Sequence, residues 1–93
     1  LAPEMLAVWK TAVEYQFYHA FALLLVGFWL RTQTSTALNV AGVCFTLGVL
    51  LFSGSLYALV LSGVRGLGAI TPLGGALFIA GWFAVLIAAL RAP

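Results

Sequence analysis

The sequence has very little charge, and this absence is its most informative feature. Of its 93 residues, only 6% are charged, and Asp and Glu together number two. No charged residue lies between Arg31 and Arg65 or between Arg65 and Arg91, and residues 15–30 are also free of Asp, Glu, Lys and Arg. Hydrophobic residues make up 65% of the chain, so it lacks the polar surface that a water-soluble domain needs. The three apolar blocks predict an integral membrane protein.

The chain is also poor in cysteine and in clustered basic residues. Its single cysteine, Cys44, excludes an internal disulfide framework and is expected to act as a small buried hydrophobe. The four Lys and Arg residues occur singly, so nucleic acid is not an expected partner. We expect the chain to lie within the lipid bilayer. The apolar runs show no period-two alternation, which argues against a membrane-spanning sheet.

No motif with catalytic or cofactor-binding spacing is found. The glycine-rich segment at residues 62–68 lacks the lysine and hydroxyl residue of a phosphate loop, and it predicts a turn. His19 is the only histidine and has no second ligand at a recognisable spacing, so neither a metal nor a haem is expected. A serine nucleophile would have only His19 as its base. We therefore expect no enzymatic activity and no cofactor.

The apolar blocks predict an all-α bundle, a single membrane domain over residues 1–93. Its transmembrane helices are expected at residues 3–30, 37–61 and 72–90. Pro3 and Glu4 are typical of the first turn of a helix. The hydroxyl-rich segment at residues 32–36 can cap the second helix. The pair Thr71-Pro72 can start the third, with the Thr71 hydroxyl as its N-cap and Pro72 at the first helical position.

Polar side chains within the apolar blocks form the candidate functional cluster. Its members are Glu14, Tyr15, Gln16, Tyr18, His19, Ser53, Ser55 and Tyr57. Ionisable groups at membrane depth are costly unless they are paired, so they mark a functional hypothesis by default. Two interpretations stay open. Either His19 and Glu14 tie helix one to the hydroxyls of helix two, or these groups form a proton or ion pathway.

Small residues recur every four positions on two of the helices. Helix three carries Ala76, Ala80, Ala84 and Ala88, and helix two carries Gly54 and Ala58. Helices in lipid associate through close backbone approach rather than through a hydrophobic drive. The spacing therefore predicts a packing stripe, directed either at a neighbouring helix of this chain or at another chain.

Four separated motifs carry a resemblance to a known family. They are Tyr-Gln-Phe-Tyr-His at residues 15–19, Leu-Phe-Ser-Gly-Ser-Leu-Tyr at 51–57, Gly-Ala-Ile-Thr-Pro-Leu-Gly-Gly at 68–75 and Gly-Trp at 81–82. In this order they resemble the small multi-pass membrane proteins grouped as domain of unknown function 423, related to transmembrane protein 256. Members of that family typically carry one more hydrophobic helix at the N-terminus. The resemblance thus implies a four-helix protein, of which this chain comprises the last three helices.

Two classes of function are consistent with these observations. The first is a small structural or accessory subunit that packs against a larger complex of the bacterial inner membrane or forms a homo-oligomer. The second is a transporter or channel component with a polar pathway through Glu14, His19 and the helix-two hydroxyls. Hydration discriminates between them. A pathway requires a continuous wet cavity, whereas a packing role requires the polar groups to be satisfied by one another or by backbone.

Overall fold

The computed structural model describes residues 2–92, and in that range it contains three α-helices and no strand. The helices are α1 at Pro3–Leu30, α2 at Thr36–Ser62 and α3 at Thr71–Arg91, with a short 3₁₀ helix at Arg65–Ala69 before α3. The predicted all-α fold is confirmed. Leu1 and Pro93, the outermost residues of the predicted domain, lie outside the described range.

The ends of α2 and the start of α3 both follow from local sequence, although the hydroxyl expected to cap α3 does not do so. The Ser35 side chain accepts a hydrogen bond from the Leu38 N–H at 3.2 Å and caps α2, as the hydroxyl-rich hinge predicts. Gly63 ends the helix with φ +73°, a left-handed conformation that glycine adopts without steric cost. The cap predicted at Thr71 is wrong, because Thr71 is already helical and its hydroxyl instead bonds to that of Ser55 at 2.7 Å.

Helix α2 is the central element of the bundle. Helices α1 and α3 each pack along α2, while the backbones of α1 and α3 scarcely approach each other. The buried apolar core consists of Ala22, Val26, Leu38, Ala41, Phe45, Phe78, Ala84 and Ala88. Large apolar side chains such as Phe21, Leu24 and Phe83 point outward instead. Such a surface suits the hydrocarbon of a bilayer and would be unfavourable in water.

Three glycines allow α2 and α3 to approach closely: Gly48, Gly74 and Gly81. A Cβ at Gly74 would lie 2.8 Å from the Cα of Phe52 on α2, and closer still to the backbone nitrogen of that residue. A Cβ at Gly48 or Gly81 would lie 2.6 Å from a phenylalanine ring of the facing helix. These distances are far below van der Waals contact. A larger residue at Gly74 would force the two backbones apart, and one at Gly48 or Gly81 would displace a buried phenylalanine ring.

The structure corrects the predicted packing stripe on α3. Ala84 and Ala88 are buried, but Ala76 and Ala80 are exposed. Residues four apart advance by about 40° around a helix at each step, so a strict four-residue repeat turns away from a straight neighbour. The face that meets α2 instead combines steps of four and three residues. Its buried members are Gly74, Phe78, Gly81, Ala84 and Ala88.

The predicted stripe on α2 is wrong as an intrachain contact. A Cβ at Gly54 would meet nothing within 4 Å, and Ala58 is exposed. Gly48, more than one turn earlier, occupies the close contact with α3. The buried positions of α2 are determined by where α1 and α3 cross it, and spacing within one helix does not reveal those crossing points.

Candidate functional site

His19 lies at the centre of the candidate site and is only 4% exposed. Its Nδ1 is 2.8 Å from the carbonyl oxygen of Tyr15, one turn earlier on α1. A carbonyl can only accept, so Nδ1 carries the proton and donates it. The Nε1–H of Trp82, which can only donate, lies 3.1 Å from Nε2. Together the two bonds define one uncharged tautomer of the imidazole, with its proton on Nδ1.

Aromatic rings from the two other helices enclose this imidazole. The ring of Phe78 on α3 stacks on it with centroids 3.6 Å apart and planes 9° apart. The ring of Phe45 on α2 lies 5.4 Å away at 59°. Aromatic pairs contribute about 0.5–1.5 kcal/mol each beyond the area they bury. His19 therefore joins all three helices. This junction lies near the middle of the bundle, because Trp82 is at the middle of α3.

The predicted ties between α1 and α2 involve different residues of α1 from those expected. Ser53, 1% exposed, donates to the Ala12 carbonyl at 2.8 Å, and the Tyr57 hydroxyl donates to Oε1 of Gln16. The prediction that His19 and Glu14 bond the helix-two hydroxyls is wrong. Ala12 and Gln16 are four residues apart and lie on the side of α1 that faces α2. His19 lies on a side of α1 that is rotated toward α3.

The remaining buried hydroxyl, on Ser55, is also satisfied within the chain. It donates to the Phe52 carbonyl at 2.9 Å and bonds to the Thr71 hydroxyl at 2.7 Å. Across residues 2–92, no buried side-chain nitrogen or oxygen lacks a hydrogen-bond partner. The interior polar groups of the bundle are thus paired with one another or with backbone.

All members of the predicted cluster on α1 except His19 are exposed: Glu14, Tyr15, Gln16 and Tyr18. Glu14 lies five residues before His19, or about 7.5 Å along the helix axis. The ring of Tyr18 is 5.7 Å from that of Tyr15, and Tyr15 in turn stacks on Phe52 at 4.8 Å. The predicted cluster therefore divides into the buried His19, Ser53 and Ser55, the half-buried Tyr57, and an exposed edge on α1.

An open cleft of about 610 Å³ separates α1 from α3 beside the imidazole. It is mostly apolar, and its walls include Tyr15, Phe52, Gly75, Ile79 and Trp82. Sequence reasoning missed Phe78 and Trp82 as partners of His19, because they lie about 60 residues away along the chain and no local pattern connects them. In the described part of the chain, no three side chains of the metal-binding types come together.

The fold and its apolar exterior define a helical membrane bundle. Two helical segments of the described chain, Thr36–Ser62 and Arg65–Arg91, are long and apolar enough to cross a membrane by length and composition. Helix α1 has 28 residues but is more polar, since it carries Lys10, Glu14 and His19.

The comparisons with known proteins agree with this class. The model of the family described as protein of unknown function (DUF423) matches residues 1–75, and the chain belongs to that family. The chain is 48% identical over 91 residues to the UPF0382 membrane protein SH2409 of Staphylococcus haemolyticus, a match covering 98% of this chain and 74% of the relative. It is 42% identical over 87 residues to the UPF0382 membrane protein YwdK of Bacillus subtilis, covering 92% and 71%. No solved structure matches the chain. The family resemblance and the helical membrane fold are confirmed.

Proposed function

We propose that this chain is a small structural subunit, without catalytic activity of its own, that packs against a larger complex in the bacterial inner membrane. The proposal rests on one observation: the buried polar groups form hydrogen bonds within the chain. Both nitrogens of His19 and the hydroxyls of Ser53 and Ser55 are engaged within the chain. Using them for transport or catalysis would first break these bonds, at about 1 kcal/mol each.

The membrane assignment rests on the class of relatives and on the fold. The relatives are named as membrane proteins and come from Staphylococcus and Bacillus. A helical bundle is the usual architecture of the inner membrane, whereas proteins of the bacterial outer membrane are mostly closed barrels.

The exposed part of the alanine stripe is the docking face of this subunit. Ala76 and Ala80 are not covered by α2 and present small side chains on the outside of α3. Small residues let a helix of another chain approach closely enough to gain packing contacts in lipid. Large apolar residues surround them, including Leu73 and Ile87.

Co-purification tests the proposal directly. The full-length protein carrying an affinity tag is purified from its native membrane in mild detergent, and associated proteins are quantified by mass spectrometry. We expect a stoichiometric membrane partner that is lost in Ala80→Leu. Ala20→Leu, the same change at an exposed alanine of α1, should retain it. A protein that purifies without a partner, or equal behaviour of the two variants, contradicts the proposal.

One observation favours the competing pathway function. Glu14 is an ionisable residue that is exposed on α1, and such residues within a membrane mostly face protein or a water-filled cavity. The test is proton flux into liposomes that contain the purified protein and a pH-sensitive dye. A flux that Glu14→Gln abolishes would favour the pathway, whereas flux no higher than in empty liposomes supports the structural subunit.

A further inference from the structure

The net side-chain charge of the chain lies at one end of the bundle. Four charged residues lie toward the end at which α1 begins, and their charges cancel: Glu4, Lys10, Glu14 and Arg65. The net charge of +2 therefore belongs to Arg31 and Arg91. These two residues lie at the opposite end, where α1 and α3 finish. Because both acidic residues of the sequence are elsewhere, this end of the bundle attracts anions.

A pocket of about 420 Å³ opens at the same end, between residues 33–37 and the last turn of α3. Its wall on α3 consists of Arg91 and Ala88, which are three residues apart and share one side of the helix. The opposite wall, residues 33–37, supplies amide and hydroxyl groups that donate hydrogen bonds. None of the lining residues carries a negative charge. This lining fits an anion, and the planar guanidinium of an arginine matches the oxygens of a phosphate group in particular.

An apolar groove adjoins the pocket and follows α2 toward the middle of the bundle. Its volume is about 260 Å³, and it is lined by Thr36, Asn39, Val40, Val43 and Cys44. Thr36 also lines the polar pocket, so the two cavities meet at this residue. A polar cavity that leads into an apolar groove fits an amphipathic molecule, with an anionic head in the pocket and a hydrocarbon chain in the groove. A free phosphate ion would leave the groove unused.

The pocket lies at the level of the lipid headgroups. Helix α3 has 21 residues and is therefore about 32 Å long, close to the roughly 30 Å thickness of the hydrocarbon layer. Arg91 is its last residue, so the guanidinium reaches the headgroup phosphates. Trp29, near the end of α1, is of a residue type enriched at this boundary. Basic pockets between transmembrane helices bind the headgroups of anionic lipids.

We propose that this pocket binds the phosphate group of an anionic phospholipid, with an acyl chain in the adjoining groove. Arg91 pairs with the phosphate, and residues 33–37 donate hydrogen bonds to it. The lipid thereby joins the beginning of α2 to the end of α3. The site is separate from the docking face of the proposed subunit, because Ala80 is 11 residues from Arg91, or about 16 Å along α3.

Native mass spectrometry of the full-length protein tests this proposal. The protein, purified in detergent, is titrated with phosphatidylglycerol or with zwitterionic phosphatidylcholine of the same acyl chains, and the fractions that retain one lipid are compared. Arg91→Gln removes the charge of the pocket. Arg31→Gln is the matched control, because it removes one charge from the same end of the bundle but does not line the pocket. Thr34→Trp fills the pocket from an exposed position and leaves both arginines in place.

We expect the parent protein to bind phosphatidylglycerol about tenfold more tightly than phosphatidylcholine. Arg91→Gln and Thr34→Trp should lose this preference, whereas Arg31→Gln should retain most of it. Each variant is first shown to unfold at the same detergent composition as the parent protein. Equal affinity of the parent for the two lipids, or equal losses in the two arginine variants, would overturn the proposal. Displacement of the lipid by an excess of inorganic phosphate would also overturn it, because the site would then belong to the free ion.

Discussion

Replacing Gly74 by alanine is the sharpest test of the packing between α2 and α3. The new Cβ would lie 2.8 Å from the Cα of Phe52 and closer still to its backbone nitrogen. Both atoms belong to the backbone of α2, so rotation of a side chain cannot relieve the clash. Ordinary contacts between such atoms are about 3.5–4.0 Å. The helices would therefore have to separate locally by about 1 Å.

The expected change in unfolding free energy follows from two opposing effects. Overpacking of a well-packed contact costs about 1–3 kcal/mol, while a change from glycine to alanine inside a helix recovers at most about 1 kcal/mol of helix propensity. We expect Gly74→Ala to lower the unfolding free energy by about 1–2 kcal/mol. Gly54→Ala is the matched control, because its Cβ would meet nothing within 4 Å, and it should be neutral or slightly stabilising.

The measurement is reversible unfolding in mixed micelles of increasing dodecyl sulfate content, followed by tryptophan fluorescence and circular dichroism. Gly74→Ala is expected to be less stable than the parent protein, and Gly54→Ala is expected to be at least as stable. Equal stability of Gly74→Ala and Gly54→Ala would refute the close approach of α3 to the backbone of Phe52. It would also remove the steric requirement for glycine at position 74.

Three further outcomes are expected. Cysteines placed at Gln33 and Arg65, in a background without the native cysteine, should label from opposite sides of the membrane, because α2 separates them; labelling from one side would contradict the topology. Ala84→Leu should lower the unfolding free energy by about 1–3 kcal/mol, since Ala84 is only 6% exposed, whereas exposed Ala80→Leu should leave it nearly unchanged; equal losses would contradict the corrected packing face. Trp82→Phe keeps an aromatic ring but removes the N–H donor to the buried imidazole. It should lower the unfolding free energy by about 1–3 kcal/mol. Unchanged stability in the micelle titration would show that this bond does not hold α1 to α3.

The helices themselves could be predicted because their determinants are local. The absence of charge between Arg31 and Arg65 and between Arg65 and Arg91 is sufficient for two long apolar helices, since charged residues are excluded from the hydrocarbon. The ends of α2 are also determined by local sequence. The Ser35 cap and the left-handed Gly63 both act within one turn of that helix.

The composition of the site could be predicted in part. An ionisable residue in an apolar run is conspicuous, and this property identifies His19 and Glu14 from the sequence alone. Their partners could not be predicted, because a residue's face on one helix does not reveal which helix covers it. Ser53 bonds to the Ala12 carbonyl 41 residues away, and backbone carbonyls carry no signature in the sequence.

The sequence by itself determined the class of protein, the number of helices and the polar residues that lie inside them. These properties depend on composition and on interactions within one or two helical turns. Only the tertiary structure decided that His19 bonds to Trp82, that Gly48, Gly74 and Gly81 form the close contact, and that the alanine stripe divides between a buried and an exposed half. Each of these depends on the rotation and crossing point of one helix against another. That arrangement is set by the collective fit of many side chains, which no local pattern encodes.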